Sequence, residues 1–407
     1  MPRRVPSSKA STTVRTAARD ATADDKFPQL RPASLVPPLV KWFGQSRREL
    51  PWREIDPATG LRNPYFSLVS ELMLQQTQVS RVLEKFEPFV TRFPTVRALA
   101  AASEDDVLSA WTGLGYYRRA RLLHAAAKAI VERHDGVVPR SVEALVSLPG
   151  LGRYTAGAIA SIAFHEPAPL VDTNVSRVML RVGGVPLAAD DKTALKWVWE
   201  QAESLAKYAH ARGDVAACNE ALMELGALIC TSEQPACLVC PLRDVCKARE
   251  LGRQHEIPLP KKQATRKPAA HTVVVLTVGA KVLVERRPSE GLWAGLWQAP
   301  TIESEKPLSE RDVRERLGLP KRLTLQRRDD FVFQTTHRDI TFRVFVGEAR
   351  ESDVPPSPDI IRRVVSREEL ASLGMSSPMR RILIEDMQAQ TVQPAARRPA
   401  RKRGTRT

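Results

Sequence analysis

No stretch of the 407 residues approaches the roughly 20 consecutive apolar residues that a membrane-crossing helix requires, and none reads as a secretory hydrophobic region. The expectation is a soluble intracellular protein, in the cytoplasm or nucleoid if bacterial and in the nucleus or mitochondrion if eukaryotic. Cysteine is scarce, five residues in all, and inside a cell that excludes a disulfide framework. No alternating strand pattern appears before residue 270, which excludes a sheet from the first half. Acidic residues number 46 against 62 Lys and Arg, and the resulting charge of +16 favours a polyanionic partner. Part of that excess lies at the ends. Residues 1–30 are rich in Arg, Ser, Ala, Thr and Pro, with no acid before Asp20, a pattern that also allows an organellar transit peptide. Residues 391–407 are mostly Arg, Lys, Ala and Pro. Both read as disordered basic tails that serve as DNA-binding arms, nuclear addresses, or neither.

The length suggests two domains. From Pro37 to Gly226 the apolar residues recur at helical spacing, as in Val82, Phe86, Phe89 and Val90, so residues 31–229 read as an all-α domain. Its central stretch is Leu148 to Arg177. Pro149-Gly150-Leu151-Gly152 breaks one helix before another begins near Arg153, and both glycines can take positive φ. The second helix then starts with free backbone N–H groups, an end that binds phosphate without a side chain. Asp172 stands further on at the head of another helical run, where a plain N-cap is the simplest role. Glu71 heads the string Glu71-Leu72-Met73-Leu74-Gln75-Gln76-Thr77. If buried, its carboxyl is a proton donor near neutral pH; if not, it is a first-turn helix acid. In Gly113-Leu114-Gly115-Tyr116-Tyr117-Arg118-Arg119 the tyrosines offer stacking faces and the arginines phosphate contacts, or the run is a loop with aromatic anchors. Glu220 and Glu224 share a helix face, which is either solvated or functional.

Four of the five cysteines fall in Cys230-(x6)-Cys237-(x2)-Cys240-(x5)-Cys246, leaving Cys218 as an ordinary buried thiol. Clustered thiolates imply a metal, with zinc the simplest candidate, although zinc ribbons use two CxxC pairs. Arg243, Lys247 and Arg249 add cations to residues 230–250.

These strings together resemble the helix-hairpin-helix DNA glycosylase superfamily, and within it the adenine DNA glycosylase (MutY) family. The resemblance extends over roughly residues 36 to 390 and also takes in Leu50-Pro51-Trp52-Arg53 and Pro64-Tyr65. It implies a monofunctional glycosylase of base excision repair that hydrolyses the bond between sugar and adenine mispaired with 8-oxoguanine or guanine. Glu71 would protonate adenine N7, and Asp172 would face the sugar. Tyr154 stands where bifunctional relatives carry a Schiff-base lysine. Tyr154, Glu224, Asn174, Arg53 and Arg62 would contact the substrate, although Arg53 and Arg62 could equally be surface cations. Gln75, Gln76, Tyr116, Gly150, Gly152 and Arg243 would contact the DNA. The cysteine spacing is that of the family's [4Fe–4S] loop, so Cys230, Cys237, Cys240 and Cys246 would hold a [4Fe–4S] cluster. The expected partner is double-stranded DNA containing a mismatch, bound by a monomer.

Pro258-Leu259-Pro260-Lys261-Lys262 marks a linker over 251–270, after which β-type runs appear at His271–Val278, Lys281–Glu285 and Thr341–Val346. Helical patterns follow at Ser309–Leu317 and Ser377–Gln388, so residues 271–390 read as an α+β domain. Gly291 to Pro300 resembles the start of a Nudix-type domain, yet Arg311 to Gly318 lacks the paired glutamates that hold magnesium there. The resemblance therefore implies lesion recognition without catalysis. The family's Phe-Ser-His loop is Thr335-Thr336-His337 here, which leaves Thr336 and His337 to read 8-oxoguanine. Asp172-Thr173-Asn174 replaces the frequent Asp-Gly-Asn. A thymine or uracil mismatch glycosylase of the same fold remains the alternative, and a non-catalytic damage-binding protein a third.

Overall fold

The computed structural model describes residues 27–57, 59–261, 265–353 and 360–385. Among the described residues twelve α-helices precede any strand: α1 Pro32–Ser46, α2 Pro64–Leu74, α3 Val79–Arg92, α4 Val96–Ala101, α5 Glu104–Ala110, α6 Arg118–His134, α7 Val142–Val146, α8 Arg153–Phe164, α9 Thr173–Gly183, α10 Lys192–His210, α11 Val215–Leu228 and α12 Lys247–Glu250. Half of them begin on a side chain that satisfies a free amide. Asn63, Thr95, Ser103, Ser141, Asp172 and Asp191 each accept from a backbone N–H of the first turn. At Gly152 no side chain caps α8, so its first amides stay free.

Two apolar cores lie on either side of α8. One gathers Leu68, Leu72, Phe86, Phe89, Trp111 and Leu123 from α2, α3, α6 and the α5–α6 turn. The other gathers Leu39, Phe43, Val178, Trp197 and Leu222 from α1, α9, α10 and α11. Helix α8 supplies Ala156, Ile159 and Ala160 to the first core and Ala158 and Ile162 to the second. It can do so because Ala, Gly and Ser occupy much of its length and every residue from Thr155 to Ala163 is buried.

The C-terminal domain is an eight-stranded sheet. Its long strands are β1 (Lys267–Val278) and β7 (Arg338–Glu348), paired in parallel. Strand β2 (Lys281–Arg286) pairs antiparallel with β1 across a tight turn. Alternation along β1 sends Val273 and Val275 into one core and Val274 and Leu276 into another, which explains its unbroken apolar run. Ser309 closes a capping box on the helix Glu310–Leu317.

Three boundaries and one glycine conformation differ from the sequence expectation. Residues 27–30 are packed on α10, with Leu30 N donating to Gln201 Oε1 at 2.9 Å and Trp197 Nε1 to Pro28 O at 3.1 Å. Residues 267–270, assigned to the linker, already pair with β7, because the Lys-Pro composition there hides a strand that only its partner reveals. The last helical pattern splits into a short helix Ser377–Arg380 and a π-turn Arg381–Glu385. Gly150 has φ +79, but Gly152 has φ −87, the extended backbone of an N-cap. The tails 1–26 and 391–407, with residues 386–390, lie outside the described residues.

Gly157 sets how closely α8 meets the segment that leads to Asp172. A Cβ there would stand 2.0 Å from the Pro169 carbonyl oxygen. Gly157→Ala is expected to destabilise the fold by about 1–3 kcal/mol through overpacking. Gly44→Ala, on an exposed turn of α1 with nothing near its Cβ position, is expected to stabilise it by about 0.5–1 kcal/mol. Urea denaturation midpoints measure both, and equal shifts of the same sign would contradict the packing argument.

Candidate active site

A cavity of about 580 Å³ opens between the two helical cores. Glu71 enters it from the last turns of α2, Tyr154 from the first turn of α8, Asp172 from the cap of α9, and Glu220 and Glu224 from α11. No lysine lines it among the described residues.

The carboxyls in this cavity are held in different states. Glu71 is 8% exposed, and burial lifts its pKa to about 7. A hydrogen bond from Tyr154 pulls it down, the charges of Asp172 and Glu220 push it up, and Arg53 opposes them. The Tyr154 hydroxyl has two acceptors, the Met223 sulfur at 3.4 Å and the Glu71 carboxyl. A thioether is the weaker of the two. Burial and the negative charges of Glu71 and Asp172 hold the Tyr154 pKa well above that of a free phenol.

Asp172 caps α9 by accepting from Val175 N at 2.7 Å, and Asn174 Nδ2 donates to its other oxygen at 3.1 Å. Burial raises its pKa all the same, against the pull of those amides and of Arg177. The helix end therefore moderates the cost of burial without cancelling it.

Glu224 is 1% exposed and Glu220 3% exposed, so the shared face of α11 is interior and not solvated. Arg48 Nε donates to Glu224 at 2.8 Å, and Arg53 spans both, reaching Glu220 at 2.8 Å and Glu224 at 3.0 Å. Arg62 Nη2 donates to the other oxygen of Glu220. Burial pushes the Glu224 carboxyl up, but the bonds from Arg48 and Arg53 outweigh it and hold the pKa at about 2. Arg53, largely shielded, and the buried Arg62 are thus partners of carboxylates and not surface cations. Sequence reasoning missed Arg48. It lies beside the Leu50-Pro51-Trp52-Arg53 string, but only the fold brings it to α11.

At the cavity mouth, Gln75 donates to Thr155 Oγ1 at 3.3 Å, and Gln76 is exposed at φ +54. Tyr116 is 51% exposed at φ +47, and its hydroxyl lies 3.1 Å from Thr336 Oγ1 of the C-terminal domain. His337 is exposed on the same turn. Gly150 sits where a Cβ would strike Leu122 at 2.5 Å. Of the two arginines after Tyr117, Arg118 is exposed but Arg119 is buried, so Arg119 makes no phosphate contact. Arg243 is exposed and donates to Leu238 O at 3.2 Å within its own loop.

The four clustered cysteines line a second, small cavity apart from the first. Among the described residues no three His, Cys, Asp or Glu side chains are grouped closely enough to hold a metal ion. An all-sulfur donor set lining one cavity suits a thiolate-held metal group, zinc and iron–sulfur alike. Burial raises the pKa of Cys240 to about 12 and that of Cys246 upward, with the charges of the neighbouring cysteines adding to it. Arg177 and Arg181 of α9 tie this loop down, donating to Cys230 O at 2.8 Å and Thr231 O at 2.6 Å. Cys218 is buried apart from the cluster, its thiol pushed up to about 12.

Residues 69–203 match the family model described as HhH-GPD superfamily base excision DNA repair protein, and residues 271–385 match the NUDIX domain model. The human adenine DNA glycosylase is 32% identical over 403 residues, spanning 84% of this chain and 72% of that protein. The adenine DNA glycosylase of Mycobacterium tuberculosis is 44% identical over 220 residues, 53% of this chain and 67% of that protein. A solved thermostable thymine-DNA glycosylase is 26% identical, covers 56% of this chain and all of its own, and superposes with a TM-score of 0.46. With a helical HhH-GPD domain ahead of a NUDIX-like one, the chain belongs to the adenine DNA glycosylase family of base excision repair.

Proposed function

We propose that this chain is a monofunctional glycosylase that hydrolyses the N-glycosidic bond of adenine opposite 8-oxoguanine or guanine in duplex DNA. The observation that carries the reading is Glu71, a buried carboxyl with a pKa of about 7 in the same cavity as Asp172. Half of such groups hold a proton at neutral pH, which is what departure of a purine requires.

Base extrusion costs a few kcal/mol and is offset by phosphate contacts, for which the free amides after Gly150 and Gly152 are suited. In the cavity Glu71 gives its proton to adenine N7, and the bond between N9 and C1′ breaks with its electrons moving to the base. Asp172 lies by the sugar and stabilises its positive charge. Water adds to C1′, and the ionised Glu71 takes up the proton released. Tyr154 cannot form a Schiff base, so the strand stays intact. Glu224, fixed as an anion by Arg48 and Arg53, accepts hydrogen bonds from the base or from water, and Asn174 orients Asp172.

Outside the cavity, Tyr116, Gln75 and Gln76 enter the base stack left open by extrusion. Thr336 and His337 read the oxidised purine opposite, a role supported by the contact of Thr336 with Tyr116. Arg243 adds a phosphate contact. Cys230, Cys237, Cys240 and Cys246 hold a [4Fe–4S] cluster that fixes the loop against α9; when bound it supplies structure and positive charge to the thiolates.

Duplexes bearing A opposite 8-oxoguanine, T opposite G, or only normal pairs, treated with alkali after incubation, separate the readings. Breaks only in the first are expected. Breaks in the second would favour a thymine or uracil mismatch enzyme, and none would favour a binder. Asp172→Asn is expected to slow base release by a hundred- to a thousand-fold, about 3–4 kcal/mol, with duplex affinity kept. Equal loss of both in a folded variant contradicts the role.

Glu71 also sets a pH signature. Its folded pKa of about 7 lies above its ordinary 4.5, so the folded state keeps a proton that the unfolded chain gives up. Stability must then fall as pH rises through that window. Glu71→Gln is expected to be more stable than the parent above pH 7, by up to ~3 kcal/mol, and equal to it below about pH 4.5. Base release by the parent is expected to decline above about pH 7 as the acid form is lost. Denaturation curves across pH and single-turnover rates measure the two. A parent and variant of equal stability at pH 8 would remove the proton from Glu71.

A further inference from the structure

The Gln75-Gln76-Thr77 turn at the end of α2 lines the cavity, and the Gly113 to Tyr116 turn ahead of α6 lies against it, with Thr77 Oγ1 donating to Leu114 O at 3.4 Å. Each holds a side-chain-bearing residue in left-handed backbone, Gln76 at φ +54 and Tyr116 at φ +47. Such conformations persist only where the surroundings over-determine them. Arg119 is the group they share. It is 7% exposed, one residue into α6, and its guanidinium lies between the turns.

Nη1 donates to the carbonyl oxygens of Leu72 and Met73, both at 2.8 Å, and to that of Gln75. These are carbonyls of the last turn and C-cap of α2, where the intrahelical partners run out. Nη2 donates to Thr77 Oγ1 at 2.9 Å and to the carbonyl oxygens of Leu114 and Gly115 at 3.2 Å. The guanidinium carbon stands 5.4 Å from the Tyr116 ring and 5.5 Å from the Trp111 ring. One terminal nitrogen therefore caps a helix while the other bridges to the neighbouring loop. Only a planar fork can do both at once; an ammonium is a point charge on a flexible stem.

We propose that Arg119 is a positioning residue that joins the Gln75–Thr77 and Gly113–Tyr116 turns into one rigid unit, so that Gln76 and Tyr116 enter the duplex together. It touches neither base nor sugar. The inference rests on the glycosylase reading above, in which these two turns fill the gap left by the extruded base.

The test uses full-length protein and a duplex with adenine opposite 8-oxoguanine and 2-aminopurine beside the adenine, whose fluorescence rises on unstacking. Arg119→Lys keeps the charge and loses the fork. It is expected to slow both the fluorescence rise and single-turnover adenine release by about ten- to a hundred-fold, the cost of a misplacement near 1 Å. Affinity for an undamaged duplex is expected to stay within about threefold, because phosphate contacts carry it. Leu123→Ala, a core truncation on the same helix, is the control for plain destabilisation. Assayed below its melting temperature, it is expected to keep the parent's unstacking rate. An Arg119→Lys protein that unstacks as fast as the parent, or a Leu123→Ala protein slowed as much, overturns the proposal. Should Arg119→Lys fail to fold, Thr77→Val removes one Nη2 acceptor and is expected to slow the same step; an unchanged rate would overturn the proposal equally. A parent that releases no adenine overturns the glycosylase reading instead, so the two failures are distinguishable.

Discussion

The site exists because one helix can be buried on all sides. Helix α8 separates the two apolar cores, and the cavity is the space left where the cores do not close over its first turn. Burial of that kind demands small side chains, since interiors are packed at crystal-like density and one extra methyl group must displace something. Gly157 lets the Pro169 carbonyl approach. Ser161 turns its hydroxyl back to Gly157 O at 2.7 Å and accepts from Asn219 of α11 at 2.8 Å. Asn219 also holds Ala168 O at 2.9 Å, so helix, segment and α11 are fastened at one buried point. Gly226 repeats the device, with Asn174 where its Cβ would be. The start of α9, and with it Asp172, is thereby placed against the cavity by backbone packing and not by its own side chain.

Once the cavity is formed, its electrostatics follow from which carboxyl obtains a cation. Three arginines converge on α11, and their guanidinium groups are spent on Glu220 and Glu224. Burying two carboxylates without them would cost several kcal/mol each, more than any single hydrogen bond returns. Glu71 has the Tyr154 hydrogen bond and the pull of Arg53, but these do not offset burial among like charges, so it meets the burial penalty by keeping a proton. Two glutamates in one cavity thus end far apart, Glu71 near 7 and Glu224 near 2. The same logic explains why Tyr154 is a better neighbour than a lysine: a phenol in this field remains neutral, whereas an ammonium would pair with Glu71 and take its proton's place.

Features encoded within a short stretch were legible in the sequence. The glycine hairpin, the cap at Asp172, the cysteine spacing and the change from helical to alternating period each involve neighbours along the chain, where local chemistry decides the outcome. The burial of Glu220, the partners of Arg53 and Arg62, and the part played by Arg48 were not legible. Their contacts join residues more than 150 positions apart, and an arginine looks the same in sequence whether it meets water or a buried carboxylate. Gly152 shows the opposite failure: its freedom to take positive φ was real but unused, because an N-cap needs extended backbone. Arg119, in a run read as cationic surface, was turned inward by six acceptors contributed by two separate turns.

That inward turn also bears on how the two domains communicate. Tyr117, next to the exposed Tyr116, donates its hydroxyl to Met375 O at 2.6 Å across the domain boundary. Arg286 of β2 reaches Glu104 at 3.2 Å and Asp105 at 3.1 Å at the start of α5. Leu296 of the C-terminal domain is counted in the helical domain's own core. The segment from Glu104 to Arg119 therefore carries, within a few residues, the anchors of the C-terminal domain, the tyrosine that meets Thr336, and the arginine that caps α2 just past Glu71. The two domains are thus packed against each other along this one segment, and close packing at such a junction resists displacement of either side alone. Under the proposed function, recognition on one strand and extrusion on the other would share this single stretch of backbone, which runs from the Thr336 contact to the arginine that caps α2.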